Sequence, residues 1–455
     1  MMKRVYSTIS QLKPNVCIVG SGPAGFYCAQ QILKLLPQST VDIYEKLPVP
    51  FGLVRYGVAP DHPEVKNVIN TFTKTGDNPR VNFYGNICLG QDISLGDLTN
   101  AYHAVVLTYG ADNDKKLNIP GEDGKNIISA RSFVGWYNGL PEDASLDLSL
   151  DCEEATILGQ GNVAMDVARI LLSPVDQLKS TDITEHSLEK LSTSRIKSVN
   201  LVGRRGALQV AFTIKEFREM TKLPHVQTVF RNEQLCGVHE ASATLARPRK
   251  RLTELILKTS NPDESKSNCS KYFRPIFLRS PTEFKLNDNG AITGINFAVN
   301  RLEGPLDNQQ ALVTEDTELI PSGIAFRSIG YQSRCVDSDI PFNEKSCTVI
   351  PKEDIYSAGW LATGPVGVIL STMSNAFEVG QRIGQDFQSG RLNSDTKKPG
   401  SDFILDIVRS KGVPVVTWEG WKAIDKEETE RGKLKGKPRE KIISIEEMIS
   451  VSGNS

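Results

Sequence analysis

Two glycine-rich turns in this chain have residue types and spacings that suit the binding of a dinucleotide. The first turn follows the apolar run Val16–Val19 and carries Gly20, Gly22 and Gly25 in the order G-x-G-x-x-G. In such a turn the first glycine allows a tight bend and the second lets the backbone approach a pyrophosphate. The third lets the next helix pack closely on the strand. The helix predicted at Phe26–Leu36 would direct its N-terminal N–H groups at the phosphates.

An acidic residue ends the second predicted strand of this unit. Glu45 closes the segment VDIYE and stands 20 positions after Gly25. A carboxylate at this place accepts a hydrogen bond from a ribose hydroxyl. A purely structural glycine-rich turn would need neither the flanking strands nor the acid. The first unit therefore indicates a nucleotide with an unphosphorylated ribose, as in FAD.

The second turn repeats the pattern with a different charge. Gly159 and Gly161 are followed by Ala164 in the third position, and a helix is predicted at Val163–Leu172. Here the strand SVNLVG ends in Arg204 and Arg205 instead of an acid. A carboxylate would repel a 2′-phosphate, whereas a guanidinium binds it through charge-assisted hydrogen bonds. This unit indicates NADP(H), the alternative being a solvated strand end.

Length and composition limit the class of protein. The chain has 455 residues, which exceeds one ordinary core, and it has 39% hydrophobic and 24% charged residues. Its formal net charge of −1 gives no overall field that would attract nucleic acid. No apolar run is long enough to predict a transmembrane helix, although a peripheral membrane contact stays open. The eight cysteines include no C-x-x-C pair, so a redox-active dithiol is not expected.

These patterns predict an α/β protein with two Rossmann-like dinucleotide-binding domains, one inserted in the other. The apolar segments Ala104–Gly110 and Gly323–Gly330 are expected to close the first and second units. The predicted FAD-binding domain therefore comprises residues 15–112 and 328–455, and the NADP-binding domain comprises residues 113–327.

Residues 1–14 contain basic and hydroxyl-bearing side chains and no acidic one, which indicates a mitochondrial targeting segment. The alternative is an irregular N-terminal segment of a cytosolic protein, without a targeting role.

A flavin site and a nicotinamide site in one chain indicate hydride transfer from NADPH to FAD. The absence of a dithiol leaves a quinone-like molecule or a one-electron protein as acceptor. The segment ARPRKRL supplies Arg247, Arg249, Lys250 and Arg251, a density of charge that would attract an acidic [2Fe–2S] ferredoxin. A solvated helix start would account for the same charges. A non-catalytic NADPH-sensing protein is a further alternative, against which the intact glycines and arginines argue.

His62 and Asp166 form a candidate pair for proton handling. His62 lies on the long loop after the second strand, and Asp166 lies on the second nucleotide helix. A histidine with a pKa near neutrality can carry the proton that accompanies flavin reduction. The alternative is a histidine that is hydrogen-bonded for structural reasons. No metal site is predicted.

Several longer motifs carry a family resemblance from about Lys13 to the end of the chain. They are VGSGPAGFY, FGLVRYGVAPDHPEVKNV, GQGNVAMDVAR, VGRRG, FTIKEFREM, RPRKRLTE, AGWLATGPVGVI and GKPREK. The chain resembles the mitochondrial NADPH–adrenodoxin reductase family, ferredoxin reductases of the glutathione-reductase-like superfamily, and looks like a fungal member. The resemblance implies electron transfer from NADPH through FAD to a mitochondrial [2Fe–2S] ferredoxin, supporting iron–sulfur cluster, haem A or hydroxylase pathways. It also implies the mitochondrial matrix, with association at the inner membrane on the matrix side.

The resemblance implies roles for individual positions. For FAD, beside the glycines of the first turn, these are Ala24, Glu45, Leu53, Leu89, Trp360, Gly367, Val368 and Ile369. For NADP(H) they are Gly159, Gln160, Gly161, Asn162, Arg204, Arg205, Glu216 and again Gly367. For the ferredoxin they are Arg247 and Arg251, with Arg249 and Lys250 equally suitable. Trp360 stands where many members have an acid, which would add an aromatic surface beside the flavin or, alternatively, place a tryptophan in the core.

Overall fold

A computed structural model describes residues 13–261, 269–306, 308–367, 369–393 and 395–453. The chain divides into two compact units. Unit 1 comprises Met1–Asp114 and Gly330–Ser455, and unit 2 comprises Lys115–Ile329. Val368 and all but the last two residues of the predicted targeting segment lie outside the described residues.

Unit 1 is built on a six-stranded sheet whose neighbouring strands are parallel except at one edge. In spatial order the strands are Ile355–Ser357, Ala104–Leu107, Asn15–Val19, Thr40–Glu45, Val81–Gly85 and Val416–Thr417. The central strand pairs Val16 with Val41 on one side and with Ala104 on the other. All four residues of Ala104–Leu107 are buried, as expected for a parallel strand covered on both faces.

The helices of unit 1 come from both ends of the chain. They are Pro23–Leu35, Leu53–Tyr56, Pro63–Lys66, Ile69–Gly76, Leu95–Ala101, Trp360–Thr363, Ile369–Gln388, Ser401–Ser410, Trp418–Leu434 and Ile445–Val451. Two short antiparallel pairs join Asn113–Asp114 to Tyr331–Gln332 and Phe342–Asn343 to Thr348–Val349.

Unit 2 contains a second six-stranded sheet, in which every neighbouring pair is parallel. Its strands are, in spatial order, Ile127–Ser129, Ile324–Arg327, Glu154–Leu158, Ser198–Val202, Lys271–Ile276 and Val226–Thr228. A separate antiparallel sheet is formed by Arg279–Leu286, Ile292–Glu303 and Gln310–Pro321. The helices are Ala130–Asn138, Asn162–Leu172, Val175–Leu178, Glu185–Ser192, Ile214–Lys222, Val238–Ser242 and Arg247–Ser260.

The fold class predicted from the sequence is therefore confirmed, with small differences at element ends. The helix predicted from Phe26 begins at Pro23. Proline suits the first helical position, because an N–H there would have no intrahelical partner and proline has none to leave unpaired. The second nucleotide helix begins at Asn162, one residue before the predicted start. Among the helices of the described segments, none combines the length and apolarity needed to cross a bilayer.

A buried ion pair ties the early part of unit 1 to the helix Trp418–Leu434. Arg55 and Glu428 form a hydrogen-bonded pair whose side chains are 3% and 0% exposed. The Glu428 carboxylate also accepts hydrogen bonds from Arg439 Nη1 at 3.1 Å and from the Ile442 N–H at 3.0 Å. The Arg55 guanidinium lies 5.2 Å from the centre of the Trp421 ring. Glu428 therefore holds two other segments, the one at Arg55 and the one at residues 439–442, against its own helix.

Replacing Glu428 with glutamine should destabilise unit 1 strongly. The change leaves the buried Arg55 charge without its carboxylate, and loss of one partner of a buried pair costs about 3–5 kcal/mol. The measurement is chemical unfolding followed by tryptophan fluorescence. Glu430→Gln is the matched control, because Glu430 lies on the same helix and pairs with Lys426 at 3.9 Å on the surface. That control should cost less than about 1 kcal/mol, and equal losses for both variants would contradict the assignment.

Candidate nucleotide-binding sites

The first glycine-rich turn of unit 1 leaves no room for a side chain at its start and ample room at its middle. Gly20 has a φ of +103°, and a Cβ there would lie 2.7 Å from the backbone of Thr108. A Cβ at Gly22 would meet nothing within 4 Å. Gly22 is also the N-cap of Pro23–Leu35 and provides no side-chain cap. Uncapped N–H groups facing open space are suited to an anionic phosphate.

Glu45 lies beside this turn. Its carboxylate accepts hydrogen bonds from the Ser21 N–H at 2.9 Å and the Ser21 hydroxyl at 2.7 Å. It also accepts one from the Leu47 N–H at 3.2 Å. These donors hold an almost buried carboxylate next to the turn, where it can accept from a ribose hydroxyl.

The loop after the second strand lies against the same turn. The Phe51 N–H donates to the Ser21 carbonyl at 3.0 Å, and a Cβ at Gly52 would lie 3.2 Å from Gly22 Cα. Leu53 begins the next short helix with an exposed side chain. Leu89, in contrast, is part of the hydrophobic core, beyond the end of the strand Val81–Gly85. The structure therefore places Leu53 near the turn and Leu89 in the apolar interior.

The C-terminal half of unit 1 returns to this turn. A Cβ at Gly359 would lie 2.7 Å from the Ala24 Cβ, so the return segment contacts the nucleotide helix directly. Trp360 is half-buried and its ring stacks on Tyr331 with centres 5.9 Å apart. Gly367 has a φ of +91°, and Ile369 begins the following long helix. Val366 and Leu370 beside them are exposed apolar side chains that sequence reasoning missed.

The turn of unit 2 repeats the same steric arrangement. Gly159 has a φ of +125°, and a Cβ there would lie 2.1 Å from the Ser328 carbonyl oxygen. A Cβ at Gly161 would meet nothing within 4 Å, and Gly161 is the uncapped N-cap of Asn162–Leu172. The Gln160 carbonyl accepts from the Ala211 N–H at 3.1 Å. Both turns thus have a blocked first glycine and an open second one.

Arg204 and Arg205 follow the strand Ser198–Val202 of unit 2 with exposed side chains. Their loop is held through its backbone, since Asn300 Nδ2 donates to the Arg204 carbonyl at 2.8 Å. The Leu278 N–H donates to the Arg205 carbonyl at 3.3 Å. Backbone anchoring leaves both guanidinium groups available to a phosphate.

Glu216 and Asp166 are brought together in unit 2 by a residue that sequence reasoning missed. Arg169 donates to Asp166 Oδ1 at 2.7 Å and to Glu216 Oε2 at 3.1 Å. Its position three residues after Asp166 on one helix was the available signal. His62 belongs to unit 1, where it is buried at the start of Pro63–Lys66. The proposed proton-handling pair is therefore divided between the two units.

The basic segment forms the start of the helix Arg247–Ser260. Arg247 and Arg251 line a groove beside the helix Ile214–Lys222, together with Arg218, Lys258, Glu254, Ile214, Pro248 and Leu255. Arg218 is an exposed cation that sequence reasoning missed, although it lies in the motif FTIKEFREM. The lining therefore has four cations to one carboxylate.

Arg249 and Lys250 are placed differently from their neighbours. Both are half-buried, and neither lines the groove. Arg249 Nη1 donates to the Val210 carbonyl, in the loop that follows Arg204 and Arg205. Burial and the positive charge of Arg205 lower the pKa of Arg249. Its guanidinium thus faces the nucleotide loop of the same unit.

Comparison with known proteins agrees with this geometry. Residues 18–84 match the family model described as an NAD(P)-binding Rossmann-like domain. The structure is similar to Mycobacterium tuberculosis FprA in complex with NADPH, with a TM-score of 0.92, 33% identity, and coverage of 97% of this chain and 100% of that one.

Curated relatives extend over nearly the whole chain. The mitochondrial NADPH:adrenodoxin oxidoreductase of Drosophila melanogaster is 52% identical over 96% of this chain and 93% of the relative. The human protein of that name is 49% identical over 97% and 92%. A fungal relative, the probable enzyme of Schizosaccharomyces pombe, is 39% identical over 99% and 98%. With two dinucleotide-type turns and such relatives along its length, this chain belongs to the mitochondrial NADPH:adrenodoxin oxidoreductase family.

Proposed function

We propose that this chain is an FAD-dependent NADPH:ferredoxin oxidoreductase of the mitochondrion. The observation that carries the proposal is the opposite charge beside two similar turns, an anchored Glu45 in unit 1 and exposed Arg204 and Arg205 in unit 2. Membership of the NADPH:adrenodoxin oxidoreductase family supports the same direction of electron flow. Bound FAD would supply the step between a two-electron hydride donor and a one-electron acceptor.

Unit 1 would hold FAD through its backbone and Glu45. The Gly20–Gly25 turn offers N–H groups to the pyrophosphate, and Glu45 offers a carboxylate to a ribose hydroxyl. Ala24, Gly359 and Trp360 would continue the site on the return of the chain, with Leu53, Gly367 and Ile369 at its open side. The exposed Val366 and Leu370 would supply apolar surface there. Exclusion of water by such side chains strengthens the electrostatic effect of the helix N-termini.

Unit 2 would hold NADP(H) by the same backbone arrangement with a different charge. Gly159, Gln160, Gly161 and Asn162 form the turn and start the helix. Arg204 and Arg205 would bind the 2′-phosphate, and Glu216 would accept from a hydroxyl of the nucleotide. Asp166 and His62 would take part in proton handling, which hydride transfer itself does not require.

The double variant Arg204→Ala with Arg205→Ala should lose its preference for NADPH. Two charge-assisted hydrogen bonds to the phosphate disappear, which corresponds to about a 100-fold rise in the KM for NADPH. The KM for NADH should change less than about threefold, because NADH has no 2′-phosphate. The measurement is ferricyanide reduction with each nucleotide. Equal losses for both would show that the 2′-phosphate is bound elsewhere.

We propose the groove lined by Arg218, Arg247, Arg251 and Lys258 as the docking surface for an acidic [2Fe–2S] ferredoxin. Its excess of cations complements a negatively charged partner, and such charges mainly raise the association rate. Ile214 and Leu255 add apolar surface between the charges. Arg249 does not line this groove, and its guanidinium instead donates to the Val210 carbonyl in the nucleotide loop.

Reversing the charge at Arg247 and Arg251 should slow ferredoxin-dependent electron transfer at least about tenfold at low salt. The measurement is NADPH-driven cytochrome c reduction through ferredoxin, with ferricyanide reduction as the direct readout. Arg195→Glu with Lys197→Glu is a control of equal charge change, at exposed residues of the same unit. The control should keep both activities. If the groove variant lost ferricyanide reduction as well, the basic segment would be structural.

Purified protein should be yellow and should release FAD on denaturation. NADPH-driven cytochrome c reduction should depend on added ferredoxin, and a ferredoxin-independent quinone reduction of equal rate would favour the quinone reductase alternative. A colourless folded protein would contradict the proposal.

We further propose the matrix side of the inner membrane as its location, with iron–sulfur cluster, haem A or hydroxylase pathways as recipients of the electrons.

A further inference from the structure

Unit 2 contains a buried guanidinium between its nucleotide helix and the helix that carries Glu216. The Arg169 side chain is 3% exposed. Its Nη2 lies 2.7 Å from Asp166 Oδ1 and its Nη1 lies 3.1 Å from Glu216 Oε2. Because the two bonds use different amino groups, the guanidinium joins Asn162–Leu172 to Ile214–Lys222.

The same two helices are also joined at the glycine-rich turn. The Thr213 N–H donates to Asn162 Oδ1 at 2.9 Å, and the Thr213 hydroxyl oxygen accepts from the Glu216 N–H at 3.4 Å. Glu216 therefore lies in the first turn of a helix whose N-cap is bonded to the start of the nucleotide helix. Arg169 holds the carboxylate end of Glu216 while Asn162 and Thr213 hold its backbone.

The carboxylates around Arg169 explain why loss of its positive charge would disturb the groups that a ligand would contact. A third carboxylate, Glu219, has Oε2 4.0 Å from Arg169 Nη1. Three acids thus surround one guanidinium in a partly buried place, where like charges repel strongly. Without the cation, mutual repulsion would move the carboxylates apart. A lysine would keep the charge but could not reach two acids with fixed, separate N–H directions.

We propose that Arg169 is a positioning residue of the NADP(H) site, where it holds the carboxylates of Glu216 and Asp166 in fixed orientations beside the glycine-rich turn. A carboxylate held in this way presents oxygen atoms that accept hydrogen bonds from hydroxyl groups of a ligand. The inference rests on the proposed function, because Glu216 and Asp166 are site residues only if unit 2 binds NADP(H). Arg169 itself acts through these two carboxylates.

The test is calorimetric titration of the FAD-loaded protein with NADP⁺. Arg169→Met should weaken binding by about tenfold or more, the effect of losing an oriented acceptor to the ligand. Arg169→Lys should recover part of the affinity. Arg195→Met is the matched control, since Arg195 pairs with Asp151 at 3.0 Å on the surface of the same unit. This control should bind NADP⁺ like the wild type.

A second variant separates charge from packing. Adding Glu219→Gln to Arg169→Met removes one of the crowded carboxylates and fills no volume, so it should restore part of the affinity. Wild-type affinity in Arg169→Met with full FAD content would overturn the inference, and so would equal weakness with and without Glu219→Gln. If Arg169→Met does not fold, wild-type affinity in Arg169→Lys would overturn it. Failure of the wild type itself to bind NADP⁺ would instead overturn the proposed function.

Discussion

The close approach of each glycine-rich turn to the end of a neighbouring strand is the contact on which both sites depend. At Gly20 and Gly159 a Cβ would lie 2.7 Å and 2.1 Å from the backbone of Thr108 and Ser328. Both glycines also have a positive φ, which other residues adopt only with strain. This contact fixes where the chain turns, and therefore where the open second glycine and the helix N-terminus point.

Charge placed beside these similar turns distinguishes the two nucleotides that we propose. Glu45 is nearly buried and accepts hydrogen bonds from Ser21 and Leu47, so its carboxylate oxygens have fixed donors. Arg204 and Arg205 are exposed and their loop is anchored through backbone carbonyls. A buried acid can discriminate against a phosphate, and exposed guanidinium groups can attract one. The selectivity that we propose is thus electrostatic, because the two turns have the same steric arrangement and differ in the charge beside them.

One helix of unit 2 connects the proposed ferredoxin surface with the nucleotide loop. In Arg247–Ser260 the residues Leu252 and Ile256 are buried, Arg247 and Arg251 line the groove, and Arg249 faces Val210. This division follows from the helical period of 3.6, which turns residues two apart to different sides. Neighbouring cations in one run therefore serve different surfaces.

The sequence by itself determined the fold class, the family and the two nucleotide turns, because glycine spacing, alternating strands and helices, and the residue after the second strand are local signals. It did not show that Leu89, which is predicted to contact FAD, is buried in the hydrophobic core, because that burial depends on the folded unit. It also did not reveal the contact of Arg169 with Glu216, or distinguish Arg249 from Arg247. The contact of Gly359 with Ala24 likewise joins segments more than 300 positions apart. These features depend on how distant helices pack, and side-chain direction and charge pairing across helices exist only once that packing is made.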